Sequence, residues 1–132
     1  MNSNKLAFIG GSGIYNLDIL TEVVEHNIVS SFGQPSSKIL EGKIGENSLF
    51  FLSRHGVGHR LAPSEINYRA NIECLKQLGV TDIISLSAVG SLKEDLDPGT
   101  FVIVDQFIDR TISRKKTFFE NGIVAHVPMA EP

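Results

Sequence analysis

The chain has a single cysteine, Cys74, so no internal disulfide is available, and that scarcity suits a reducing compartment, with the cytoplasm as the expected location. It has no excess of positive charge. Twelve Lys and Arg against fifteen Asp and Glu leave a net charge of −3, which gives no general attraction to nucleic acid or to an anionic membrane. Any affinity for phosphate must therefore be local. No run of about 20 apolar residues is present, and Met1-Asn2-Ser3-Asn4-Lys5 leads into an apolar stretch too short for a signal-peptide core. Repeats, low-complexity tracts and linkers are also missing. What is there, 132 residues of which 42% are hydrophobic, is enough for one ordinary globular domain with a buried core.

Short apolar runs bounded by turn residues predict a strand over 5–9, stopping at Gly10-Gly11-Ser12-Gly13, with a helical segment over 14–20. Val23, Val24, Ile28 and Val29, then Ile39, Leu40 and Ile44, predict two antiparallel edge or hairpin strands around the loop 33–37. A further strand covers 49–53. The helix expected next opens at Pro63-Ser64 and closes at Gly79, with proline at its start and glycine just past its end. Its wheel gathers Glu65, Arg69, Glu73 and Lys76 on one face and Tyr68, Ile72, Cys74, Leu75 and Leu78 on the other. Asn67 and Asn71 fall in the apolar arc, where buried amides need partners. They are expected to clamp loop backbone, with direct ligand contact as the rival reading. Residues 81–87 form another strand, parallel to that of 49–53 as the second arm of a βαβ unit. Asp97-Pro98-Gly99 is a turn, 100–107 a strongly apolar strand, and the chain becomes polar from Asp109 onward.

Chemistry concentrates at Arg54-His55-Gly56-Val57-Gly58-His59, directly after the strand of 49–53. A guanidinium is a planar fork of donors matching phosphate or carboxylate, and the glycines allow close backbone approach to a ligand. In open α/β sheets, ligands bind beyond the carboxyl ends of parallel strands. Three such ends carry small or anion-compatible residues here, Gly10 to Gly13, Arg54-His55 and Ser87-Ala88. Together they could cradle a phosphate without a metal.

Each piece also has a plain reading. The glycine turn lacks the dinucleotide fingerprint, because Asn16 stands where the last glycine would be, and no Walker lysine follows. Ser87 and Ala88 could be small only because a helix packs near them. His26 reads as a surface residue, and Lys115-Lys116 as a solvated loop face. His55 and His59 lack a third ligand at zinc spacing, so no metal is expected.

The stretches Ile9-Gly10-Gly11-Ser12-Gly13, Arg54-His55-Gly56, Pro63-Ser64 with Asn67-Tyr68-Arg69-Ala70-Asn71, Ser87-Ala88-Val89-Gly90-Ser91-Leu92, Asp105-Gln106-Phe107-Ile108-Asp109-Arg110-Thr111 and His126-Val127-Pro128-Met129-Ala130-Glu131-Pro132 carry a family resemblance across nearly the whole chain. It resembles the purine nucleoside phosphorylases, most closely the branch acting on 5′-methylthioadenosine. The resemblance implies an α/β fold with a mixed central sheet flanked by helices. It makes residues 1–132 the N-terminal portion of one such domain, which assembles as a homotrimer. The reaction it implies is attack of inorganic phosphate, a co-substrate, on C1′ of a purine nucleoside, with no cofactor.

Carried over by position, Ser12, Arg54, His55, Ser87 and Ala88 form the phosphate site. His59 lies near the substrate pocket and His126 at the subunit interface facing a neighbour's sugar pocket. The family's base-binding acid and sugar-contacting methionine would follow Pro132. The chain is therefore expected to be a truncated portion that exposes a sheet edge and apolar faces, holds no catalytic residue of its own, and is inactive unless a second chain supplies the rest. Other purine nucleosides, inosine, guanosine or methylthioinosine, are alternative substrates. A histidine phosphatase, with His55 as nucleophile, and a non-catalytic phosphate-binding half are the rival classes.

Overall fold

A computed structural model describes residues 4–11 and 18–130 and divides the chain into two units, Met1–Ala88 and Val89–Pro132. The first unit is built on a five-stranded mixed sheet formed by β1 (Leu6–Gly10), β2 (Thr21–His26), β3 (Ile39–Ile44), β4 (Asn47–Ser53) and β5 (Asp82–Ser85), in the spatial order β2-β3-β4-β1-β5. β4 is central; β1 lies between β4 and β5 and is parallel to both, while β3 runs antiparallel to both β2 and β4. The strands of 49–53 and 81–87 are thus parallel, as expected, with β1 inserted between them.

The β3–β4 hairpin, which the sequence reading did not anticipate, turns through two residues. Gly45 takes the first place at φ 61°, and a two-residue turn of this hand needs a glycine there to match strand twist. In β2 the register shifts between Thr21 and Val24, and Glu22 sits at φ 52°, which marks a bulge on an exposed edge strand.

The helix α1 (Tyr68–Gln77) crosses one face of the sheet. It starts later than the Pro63 signal predicted. Residues 62–65 close a separate turn, in which Glu65 N donates to Ala62 O at 2.9 Å and the Glu65 carboxylate accepts from Ala62 N at 2.8 Å. Asn67 then caps the helix by accepting from Ala70 N at 3.1 Å. The end is where glycine placed it: Gly79, at φ 79°, donates to Lys76 O at 2.9 Å and Val80 donates to Leu75 O at 3.2 Å.

Ala7, Ile9, Ile39, Phe50 and Leu52 meet Cys74 and Leu75 beneath α1, with Ile28, Ile72, Leu78 and Val80 around them. Full burial of a side chain such as Leu75 contributes about 1.5–3 kcal/mol. Burial and the neighbouring Glu73 charge push the Cys74 thiol up, so it serves as packing. The two helix asparagines clamp loop backbone, as read from the wheel. Asn67 Nδ2 donates to Phe32 O at 2.7 Å, and buried Asn71 accepts from Ser36 N at 2.8 Å and donates to Ser36 Oγ at 3.0 Å. On the opposite side, Phe8, Leu20, Leu49, Phe51 and Leu86 line an open apolar hollow of about 170 Å³.

The helical segment expected over 14–20 falls mostly outside the described residues; Asp18 and Ile19, which are described, form a turn. The second unit holds no helix or strand among its described residues. Asp97 to Thr100 closes as predicted, Thr100 N donating to Asp97 O at 3.1 Å with Gly99 at φ 93°. The strand expected over 100–107 does not form. A strand exists through its ladder partners, and this run has none among the described residues; Phe101 and Ile103 stand 94% and 99% exposed. Side chains also hold backbone in this unit. Asp109 accepts from Thr111 N and Oγ1 at 2.8 and 2.6 Å and pairs with Lys116 at 2.9 Å, and these donors, Thr111 foremost, hold its carboxyl well below the usual range.

Candidate functional site

Register brings the carboxyl ends of the three parallel strands together, since Gly10 pairs with Ser53 and Ile9 with both Leu52 and Ser85. The next residues are Gly11 after β1, Arg54 after β4 and Leu86-Ser87 after β5. The backbone continues the ladder for one step, with Arg54 N donating to Gly10 O at 3.1 Å and Leu86 N to Ile9 O at 2.9 Å.

The Arg54 side chain spans this edge from β4 to β5. Its Nη1 donates to Leu86 O and to Ser87 Oγ, both at 3.0 Å. It passes directly over Gly11, where a Cβ would stand 2.5 Å from Nη2 and 3.0 Å from Cζ. Gly11 is thus glycine because the guanidinium fills the space a side chain would need. Nε donates to His55 Nε2 at 3.3 Å. Of the five N–H donors a guanidinium carries, the two on Nη2 have no partner among the described residues.

His55 is buried and fixed at both ring nitrogens. A carbonyl oxygen only accepts, so the 2.9 Å contact between Nδ1 and Leu61 O requires a proton on Nδ1. Nε2 then presents a lone pair, which takes the Arg54 Nε–H. Leu61 N returns a bond to His55 O at 2.9 Å, so side chain and backbone of residue 55 are clasped to residue 61. The intervening loop doubles back through Gly56 and Gly58, at φ 75° and 74°, and lays the His59 ring on that of His55 at 4.2 Å and 12°.

Of the residues singled out from the sequence, Arg54, His55, His59 and Ser87 are gathered at this edge, and exposed Ala88 follows Ser87 as the last residue of the first unit. Ser12 lies outside the described residues, one position beyond Gly11. His126 belongs to the second unit, where it is exposed and outside any helix or strand. His26 is half-buried and pairs with Glu41 at 2.8 Å on the antiparallel side of the sheet. Among the described residues, no group of three or more His, Cys, Asp or Glu could hold a metal ion. Sequence reasoning missed the carbonyls of Leu86 and Leu61, which carry no side-chain signal, and the steric role of Gly11, whose signal was the doubled glycine.

These features define an open α/β protein with an arginine held across the ends of its parallel strands. The model of the phosphorylase superfamily matches residues 5–132, and the chain belongs to that family. It is 58% identical over 127 residues to S-methyl-5′-thioadenosine phosphorylase of Rhodospirillum rubrum, covering 96% of this chain and 43% of the relative. The enzyme of the same name from Saccharolobus solfataricus is 54% identical over 128 residues, covering 97% of this chain and 47% of the relative. Methylthioadenosine phosphorylase from Schistosoma mansoni, solved in complex with tubercidin, superposes at a TM-score of 0.90 with 43% identity, over 98% of this chain and 47% of the solved one. The chain spans about half the length of the relatives it matches.

Proposed function

We propose that the chain corresponds to the N-terminal portion of a single nucleoside phosphorylase domain and carries the phosphate half of a site for 5′-methylthioadenosine phosphorolysis. The observation that carries this reading is Arg54, anchored by Nη1 to Leu86 O and Ser87 Oγ with its Nη2 donors uncommitted among the described residues. A phosphate there would accept from Nη2, with Ser12, Ser87 and the backbone beside Ala88 completing the cradle, while His55, whose Nε2 accepts from Arg54 Nε, would hold the guanidinium in place.

A phosphate oxygen attacks C1′ of the nucleoside as the bond from C1′ to the purine nitrogen breaks. The electron pair of that bond leaves with the base, which takes up a proton, and the products are adenine and 5-methylthioribose 1-phosphate. Positive charge develops on the sugar in the transition state, and a bound phosphate dianion both stabilises it and supplies the nucleophile. The relatives' names support the 5′-methylthioadenosine assignment over inosine, guanosine or methylthioinosine. The finer parts of the reading are a cytoplasmic enzyme of methionine and purine salvage, a homotrimer, and His126 facing a neighbour's sugar pocket.

Against the phosphatase alternative stands the direction of the His55 Nε2 lone pair, which is turned to Arg54 Nε. Incubation with 5′-methylthioadenosine, with and without phosphate, tests the proposal by the appearance of adenine. Release that requires phosphate supports it. Release of phosphate from a simple monoester with a phosphohistidine trapped at His55 overturns it, as does failure to bind phosphate, whereas phosphate binding without turnover is the outcome expected of the phosphate half by itself.

A further inference from the structure

We infer that His59 is a positioning residue for Arg54, acting through His55: its ring holds the imidazole whose Nε2 edge aligns the guanidinium. This inference rests on the reading of Arg54 as the phosphate ligand and adds a residue that sets the direction of its free donors.

Three observations carry it. First, the two imidazoles stack nearly parallel, 4.2 Å apart and 12° from coplanar, with His55 buried and His59 covering it from outside. Second, His59 adopts φ 55°, a left-handed backbone that side chains rarely take. That conformation is held by His59 N donating to Gly56 O at 3.2 Å and by the clasp between His55 and Leu61, so the loop accepts a strained residue where it lays ring on ring. Third, the contacts run without a gap from His59 to His55, from His55 Nε2 to Arg54 Nε, and from Arg54 Nη1 to Leu86 O and Ser87 Oγ. The Arg54 Nε bond, at 3.3 Å, is the longest of its three and the one a tilt of the His55 ring would break. His59 is exposed, so replacing it leaves the core beneath α1 untouched.

The test uses two variants of the full chain. His59→Asn keeps a residue that tolerates the left-handed backbone and removes the ring, whereas His59→Phe keeps a stacking ring and removes the imidazole. Calorimetric titration with inorganic phosphate should show about two- to tenfold weaker binding for His59→Asn, the value of one aromatic pair, and near-parental binding for His59→Phe. Histidine-selective 15N spectra supply a readout independent of phosphate. They should show His55 as the Nδ1–H tautomer in the parent and in His59→Phe, and a mixture of tautomers in His59→Asn. Equal weakening in both variants would make the imidazole itself a ligand group and overturn the inference, as would an Nε2–H tautomer in the parent or an unchanged His55 signal in His59→Asn. A parent that binds no phosphate would sink the proposed function, while the His55 spectra would still decide the positioning role.

Discussion

Replacing Gly11 with alanine should separate binding from stability. The new Cβ would stand 2.5 Å from Arg54 Nη2, and ordinary contact begins at 3.4 Å, so the guanidinium must retreat by about 0.9 Å. That movement comes out of two 3.0 Å bonds, to Leu86 O and Ser87 Oγ, and turns the Nη2 donors away from the strand ends. A hydrogen bond to a charged group contributes about 1.5–3 kcal/mol, so loss of one arginine contact predicts roughly 10- to 100-fold weaker phosphate binding. Stability should change little. The displaced group is chiefly the tip of a flexible side chain, Leu86 O at 3.3 Å has only about 0.1 Å to give, and Gly11 does not have the left-handed φ that alanine resists. The entropy lost from the unfolded chain on going from glycine to alanine, about 0.4–1 kcal/mol, offsets part of the weakened contacts. Phosphate titration by calorimetry and urea denaturation on the same preparation read the two quantities. Parental phosphate affinity in Gly11→Ala would refute the steric reasoning, and so would a loss of several kcal/mol of stability.

Asn71→Ala should cost about 1–3 kcal/mol in urea denaturation, because the buried Ser36 N and Oγ lose their amide partner; a cost within 0.5 kcal/mol, the roughly neutral range of surface changes, would show that water replaces it. Glu73 accepts from Ser31 N at 2.7 Å and from Ser31 Oγ at 2.9 Å. Desolvation raises its carboxyl, but these bonds, with others from Ser30 and Phe32, outweigh it and leave the pKa below the ordinary 4.5. A lowered folded pKa means that its contribution is complete above the unfolded value and disappears as pH falls through the folded one. The stability advantage over Glu73→Gln should therefore shrink as pH drops below about 4.5, and an advantage constant with pH would count against it.

Local rules carried the sequence reading where one segment holds its own partners. The C-terminal glycine of α1, the Asp97 turn and the amides of Asn67 and Asn71 were all legible, because each satisfies backbone within a few residues or must find a partner when buried. The helix start was misplaced because Pro63 opens a turn as readily as a helix, and only Asn67, at φ −85° and ψ 81°, breaks the two apart. Residues 100–107 have the composition of a strand, but pairing is a property of two segments, and composition cannot supply the second. The candidate site was legible as a convergence of strand ends. Its internal wiring was not, since the Leu61 and Leu86 carbonyls and the tautomer of His55 depend on geometry alone.

The proposed function stands or falls on whether Arg54, held across the ends of three parallel strands, binds phosphate. Calorimetric titration of inorganic phosphate into the chain and into Arg54→Ala tests it most directly. Saturable binding at one site per chain is expected, lost to below detection in Arg54→Ala with the fold retained in denaturation. Equal affinity in the two proteins would contradict it.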